Sequence, residues 1–187
     1  MSSLFHQIPR EVLQDTNQFT CWAAALEAWL SVTSGCPLAW AIKNKEDAIR
    51  EYEYFCEGAS GENILKGFRW FAAAFGMNFD SFKPAQKLSA RYVYEKLAAK
   101  GCLYVFAVGQ PALGNGRAHA LVFYGISDYE TDECCTVAVM DPWKSGIVPT
   151  KSFREYQKAE EILIAWLEFA EAETATDNQA AQTNAPR

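Results

Sequence analysis

The sequence predicts an α+β domain, in which a helical N-terminal half packs on an antiparallel β-sheet formed by the C-terminal half. Two patterns support this division. Apolar residues recur at helical spacing before Gly101, and short runs rich in valine, tyrosine and phenylalanine follow it. Composition adds a third observation, because 187 residues of which 50% are hydrophobic can build one sizeable core but not two. A cleft between the two halves is the expected place for a functional site.

The N-terminal half contains four segments with helical patterns. The first is CWAAALEAWLSV, from Cys21 to Val32, with Thr20 as its predicted N-cap. A Gly-Cys-Pro break at Gly35 to Pro37 ends it. The others are predicted at Glu46 to Cys56, Glu62 to Phe75 and Leu88 to Lys100, and Gly101 is the expected C-terminal cap of the last.

The C-terminal half contains four apolar runs that predict strands of the antiparallel sheet. In chain order they read CLYVFAV, HALVFYGI, CCTVAVM and ILIAWLEF. A glycine-rich loop separates the first two, and an acidic turn separates the next two. We therefore expect an N-terminal extension over residues 1–12, the domain over residues 13–170, and a disordered tail over residues 171–187, which has almost no apolar bulk.

Charge and hydropathy argue against two classes of partner. With 17 basic and 23 acidic side chains, the net charge of −6 does not suit nucleic acid or anionic lipid. The first ten residues, MSSLFHQIPR, lack the apolar run of a signal peptide, and no segment reaches the roughly 18 apolar residues of a membrane helix. We expect a protein made in the cytoplasm without nucleic-acid or membrane partners. Export or injection by a specialised secretion system, which needs no signal peptide, is left open.

The six cysteines are predicted to be reduced thiols, because a chain so rich in core-forming residues does not need disulfides to fold. Their spacing also differs from that of a zinc site. Cys134 and Cys135 adjoin, but neighbours in a strand point to opposite faces and cannot hold one ion together. No metal and no cofactor is expected.

Cys21 is the best candidate for a reactive thiol. It is predicted to begin a helix, where unpaired backbone N–H groups and the helix dipole favour a thiolate. A cysteine beside a tryptophan is, when taken alone, more often a small buried core residue.

A base and an orienting acid follow Cys21 in the chain. Of the two histidines, His119 is the candidate base, because His6 lies in a polar N-terminal stretch that is expected to be mobile. His119 begins one predicted strand and Asp141 ends the next, so the carboxylate can accept the second imidazole N–H. A structural histidine and an Asp-Pro turn are the ordinary alternatives for each residue alone. The ordered set of three favours nucleophilic catalysis.

Three motifs together resemble the papain-like cysteine peptidases of bacteria, including double-glycine leader peptidases and effector proteases. They are CWAA from Cys21, GRAHALVFYGI around His119 and VAVMDPWKSG around Asp141, and the resemblance covers Gln14 to Leu167. It implies a papain-like fold with the active-site cleft between the helical half and the sheet. It also implies that a Cys21, His119 and Asp141 triad hydrolyses amide bonds of a protein or peptide substrate.

The resemblance further implies a glutamine before the cysteine, whose side-chain amide stabilises the oxyanion together with a backbone N–H. Gln14 is our candidate, seven residues before Cys21, and Gln18, three residues before it, is the alternative. The resemblance also implies that Trp143 shields the His–Asp hydrogen bond from water.

Several functions are compatible with these residues. One hypothesis is a free-standing peptidase delivered as an interbacterial toxin or effector, which implies a proteinaceous inhibitor, or immunity protein, in the producer. A deamidase, an acyltransferase and a cell-wall amidase of the same fold are alternatives within enzymes. The alternative outside enzymes is a non-catalytic module that holds a peptide in its cleft.

Overall fold

The computed structural model describes residues 2–15, 20–36, 41–52, 62–109, 118–143 and 146–167. Within these ranges, one antiparallel sheet of seven strands is flanked by helices. This architecture confirms the α+β prediction. The predicted tail at residues 171–187 lies outside the described residues.

The helices α1 to α5 are Cys21–Leu30, Lys45–Tyr52, Glu62–Ala74, Ala90–Lys100 and Arg154–Gln157. The strands β1 to β7 are Ser3–Phe5, Met77–Phe82, Leu103–Val108, His119–Ser127, Thr136–Asp141, Gly146–Ser152 and Glu161–Leu167. The sheet order is β2-β7-β3-β4-β5-β6, and β1 pairs with β4. None of the described helices is both long enough and apolar enough to cross a bilayer.

The central strands are continuous apolar runs because both faces of the sheet are covered. Alternate residues of β3 point to opposite sides: Tyr104 and Phe106 join a core with α1 and α3, whereas Leu103 and Val105 join a core with α4 and α5. Strand β4 divides its side chains in the same way. The sheet is thus a rigid layer between two apolar cores, and its ends are available to carry a site.

Helix α1 is buried along most of its length and is fixed to the sheet by two polar contacts. The indole Nε1 of Trp29 donates to the Cys102 carbonyl at 2.9 Å, and the Tyr104 hydroxyl donates to the Trp22 carbonyl at 3.0 Å. Between them the helix presents alanines, which allow close approach to the sheet. The first turn of α1, which carries Cys21, is therefore held in a defined position relative to β3.

The prediction of a helical N-terminal half was incomplete, because β2 lies within it. Its sequence MNFDSF is half polar and mostly not buried, as befits an edge strand, so it lacks the apolar run of a central strand. The opposite edge strand, β6, was missed for the same reason: four of its seven residues are Pro149, Thr150, Lys151 and Ser152. The predicted end of α2 near Cys56 lies outside the described residues.

The N-terminal residues expected to form an extension instead join the sheet. Strand β1 pairs with β4, with Phe5 opposite Gly125, and a Cβ added at that glycine would lie 2.3 Å from the Phe5 ring. His6 is also fixed, because its backbone N–H donates to the Tyr124 carbonyl at 2.8 Å and its ring Nε2 pairs with the Leu97 carbonyl at 2.9 Å. This corrects the expectation that His6 lies in a mobile stretch.

Candidate active site

Cys21 is the first residue of α1, as predicted, and it is buried with 8% of its surface exposed. Thr20 occupies the N-cap position, and its carbonyl accepts the N–H groups of Ala23 and Ala24. Thr20 is thus the N-cap residue, as predicted, although its side chain makes no capping hydrogen bond, and no acidic side chain lies in the first turn of α1. The positive end of the α1 dipole therefore faces the sulfur without a competing carboxylate.

His119 and Asp141 meet at one end of the sheet. His119 begins β4 and Asp141 ends β5, and these strands pair in antiparallel fashion, so the start of one lies beside the end of the other. The imidazole Nε2 lies 2.7 Å from Asp141 Oδ1. Both side chains are buried, which excludes water from this hydrogen bond.

The Asp141 carboxylate has two further partners. The backbone N–H of Trp143 donates to Oδ1 at 3.0 Å, and the ammonium of Lys151 lies 3.4 Å from Oδ2. Burial alone would raise the pKa of Asp141, but the hydrogen bond and charge of His119, the Trp143 N–H and the charge of Lys151 outweigh it and lower the pKa to about 2. Asp141 is therefore ionised at neutral pH.

The imidazole of His119 is charged at neutral pH for the complementary reason. Burial acts to lower its pKa, but hydrogen bonds to Asp141 and to the side chain of Cys21, together with their charges, raise it to about 9. Because Nε2 faces Asp141, Nδ1 is the ring nitrogen left for the sulfur. The arrangement places a charged imidazole between the Cys21 side chain and the carboxylate of Asp141.

Gln14 lies beside this group through its backbone. Its N–H donates to the Pro142 carbonyl at 3.0 Å, directly after Asp141, and the next N–H in the chain, that of Asp15, donates to the Thr20 hydroxyl at 3.2 Å. The half-buried Gln14 is thus tied between the end of β5 and the start of α1. The alternative, Gln18, lies outside the described residues.

Trp143 contributes a contact that the sequence did not predict, namely its backbone N–H to Asp141. Its side chain is 45% exposed, so the indole forms part of the surface next to the buried carboxylate. The predicted shielding of the His–Asp bond by this ring stays a prediction.

Sequence reasoning missed Lys151 altogether. The residue lies on β6, a strand that was not predicted, and ten positions separate it from Asp141. A lysine in a polar stretch has no local sequence feature that marks it as part of a site. Only the pairing of β6 with β5 brings Lys151 to the Asp141 carboxylate.

Comparisons with known proteins identify the family of the chain. No curated protein sequence matches the chain. Among solved structures, it is similar to a double glycine motif protease from an AMS/PCAT transporter in complex with its leader peptide (16% identity, TM-score 0.45, covering 90% of this chain and 99% of that one). It is also similar to UfSP from C. elegans (14%, TM-score 0.49, covering 84% and 32%) and to the Pseudomonas avirulence protein AvrPphB (10%, TM-score 0.42, covering 87% and 96%).

These TM-scores all lie below 0.5, so the assignment rests on the family match instead. The family described as papain-like cysteine protease AvrRpt2 matches residues 3–161, a span that includes Cys21, His119 and Asp141. The match covers most of the chain and confirms the predicted resemblance to papain-like cysteine peptidases. The protein belongs to this family of papain-like cysteine proteases.

Proposed function

We propose that this protease cleaves a protein target through a triad of Cys21, His119 and Asp141. The observation that carries the proposal is the buried 2.7 Å hydrogen bond between His119 and Asp141, formed by an imidazole that also hydrogen-bonds the thiol at the start of α1. Acyl transfer requires a nucleophile that is hydrogen-bonded to a base, and a base that is oriented by a hydrogen bond to an acid.

In this mechanism, the Cys21 thiolate forms a bond to the amide carbon, and the carbonyl electrons move to oxygen. The Gln14 side-chain amide and the Cys21 N–H stabilise that oxyanion. The imidazolium of His119 then gives its Nδ1 proton to the departing amine as the C–N bond breaks, leaving a thioester. Neutral His119 next takes a proton from water, which attacks the thioester, and the thiolate is released with the acid product.

Substitution tests the role of Gln14 as the oxyanion donor. Gln14→Ala is expected to lower kcat about 100-fold to 1,000-fold with little change in KM, because an oxyanion donor acts mainly in the transition state. Gln18→Ala is the matched control and is expected to stay near the wild-type rate. If the two variants exchange these results, Gln18 is the donor.

Selective alkylation tests the nucleophile without a known substrate. A limiting dose of iodoacetamide at neutral pH is expected to modify Cys21 first, because pairing with His119 keeps its sulfur reactive. Burial raises the pKa of Cys102 to about 11 and, with nearby carboxylates, that of Cys135 to about 12, so both stay protonated. Peptide mapping reports the order of modification.

The exposed thiol of Cys134 is the internal control for access, since it is more accessible than Cys21 but has no imidazole partner in the described residues. His119→Ala should slow modification of Cys21 and leave that of Cys134 unchanged. Faster labelling of Cys134 in the wild-type protein would argue for the non-catalytic peptide-binding module.

The alternatives within enzymes differ in their products. Peptidase action on a protein yields two fragments, whereas deamidation leaves one chain and acyl transfer adds a group, so intact-mass analysis separates them. We further propose that the target lies in another cell and that the producer makes an inhibitor protein. Family membership and the resemblance to effector proteases support this.

A further inference from the structure

The Asp141 carboxylate has two partners in addition to the His119 imidazole. Asp141 Oδ1 receives both the His119 ring and the Trp143 N–H, while Oδ2 faces the Lys151 ammonium at 3.4 Å. The Asp141 side chain is 7% exposed and that of Lys151 is 27% exposed. The buried carboxylate thus lies between two cations, one in the active site and one behind it.

Lys151 reaches this position because of how β6 pairs with β5. Lys151 lies opposite Val137, and the register shifts between Val137 and Val139, which brings the lysine toward the end of the strand that carries Asp141. Its Nζ also lies 5.2 Å from the ring centroid of Tyr156, a fully buried residue of α5. The partial burial of this ammonium costs free energy unless a carboxylate and an aromatic face replace the hydration that is lost.

We propose that Lys151 is a positioning residue of the triad, which fixes Oδ2 of Asp141 and offsets part of the carboxylate charge that acts on His119. The proposal rests on the proposed function. Beside the buried Asp141 carboxylate, the imidazolium of His119 would hold its proton too firmly to give it readily to a leaving amine. The positive charge of Lys151, on the other side of that carboxylate, weakens this attraction and keeps His119 effective as a general acid.

The charged and titratable groups around this pair are few in the described structure. His119 faces Cys21 from α1, and Asp141 faces Lys151 from β6. Burial raises the pKa of the Tyr156 phenol on α5, and the nearby charge of Asp141 raises it further.

Two further carboxylates lie near this group. The Glu11 side chain packs against Gly146, which is the residue opposite Asp141 in the sheet. Glu155 directly precedes Tyr156 in α5. Lys151 is the group among these whose charge opposes protonation of His119.

The chain is well suited to a direct test, because it has only two histidines. Imidazole NMR signals can be followed against pH, and the His6 signal is assigned with the His6→Ala variant. Lys151→Met is expected to raise the His119 pKa above the wild-type value, which lies near 9, by about 0.5 to 1 pH unit. Lys151→Arg should restore the wild-type value, and Asp141→Asn should shift it in the opposite direction.

Two further variants separate charge from packing. Lys151→Gln can still donate an N–H to Oδ2 but lacks the charge, so it should raise the His119 pKa as Lys151→Met does. Lys158→Met removes the same charge from an exposed ion pair with Glu155 and should leave the His119 pKa unchanged. The melting temperature of each variant shows that it is folded.

The direction for activity follows from the active protonation state. The imidazolium is the form that protonates the leaving amine, so acylation is lost as pH rises through the His119 pKa, and this loss forms the alkaline limb of the pH profile. In Lys151→Met, this alkaline limb should move to higher pH by the same amount as the NMR value, while kcat at neutral pH falls. An unchanged or lowered His119 pKa in both Lys151→Met and Lys151→Gln would overturn the proposal. Because the NMR shift requires no turnover, it stands or falls separately from the identity of the nucleophile.

Discussion

Replacing Cys21 or His119 with alanine is expected to abolish peptide hydrolysis, lowering kcat by about 10,000-fold or more in either variant. In the proposed triad the nucleophile and its base act as one unit, because the His119 imidazole hydrogen-bonds both the Cys21 side chain and Asp141. The double variant should therefore be no slower than either single one. Turnover of a labelled protein substrate, first established with the wild-type enzyme, measures all three.

His6→Ala is the matched control for this experiment, since His6 pairs with the Leu97 carbonyl and not with the triad. It should leave kcat unchanged. His119→Ala should still fold, because Asp141 keeps the Trp143 N–H and the Lys151 ammonium as partners. Full hydrolysis by a folded His119→Ala variant would remove the base from the mechanism, and multiplicative losses in the double variant would show that the two residues act independently.

Among the substitutions proposed here, Trp29→Ala is expected to lower the free energy of unfolding the most, by about 3 to 5 kcal/mol. Trp29 is fully buried, its ring packs edge-on against Tyr104 at 6.2 Å, and its Nε1 donates to the Cys102 carbonyl. Alanine leaves a cavity and removes the donor from a buried carbonyl. Urea unfolding, followed by circular dichroism, gives the free energy.

Two other tryptophan substitutions provide comparison values for this loss of stability. Trp29→Phe keeps an aromatic ring and loses the N–H, so it should lower the free energy of unfolding by less than Trp29→Ala does. Trp70→Ala removes an indole that is 43% exposed and should cost less than half as much. Equal losses for Trp29→Ala and Trp70→Ala would contradict the view that the Trp29 anchor fixes α1, and with it Cys21, to the sheet.

The elements predicted correctly are those whose evidence is local and strongly apolar. Helix α1 begins at Cys21 as predicted, and Gly101 ends α4 with a positive φ of 78° and an N–H to the Leu97 carbonyl. The four apolar runs correspond to β3, β4, β5 and β7, because strands buried on both faces need apolar side chains at nearly every position. Strands β1, β2 and β6 were missed, since a short or peripheral strand with polar residues differs little from a loop in its sequence.

The sequence by itself determined the family and the α+β class, and it predicted three site residues whose types and order resemble those of a cysteine protease. Only the tertiary structure decided how these residues meet. The hydrogen bond from the Gln14 N–H to the Pro142 carbonyl and the approach of Lys151 to Asp141 depend on loop contacts and strand register between separate segments of the chain. The Trp143 N–H, by contrast, reaches Asp141 through a local turn of two residues. A shift of one residue in the register of β6 would turn Lys151 to the other face of the sheet, so its role is a property of the fold and not of the local sequence.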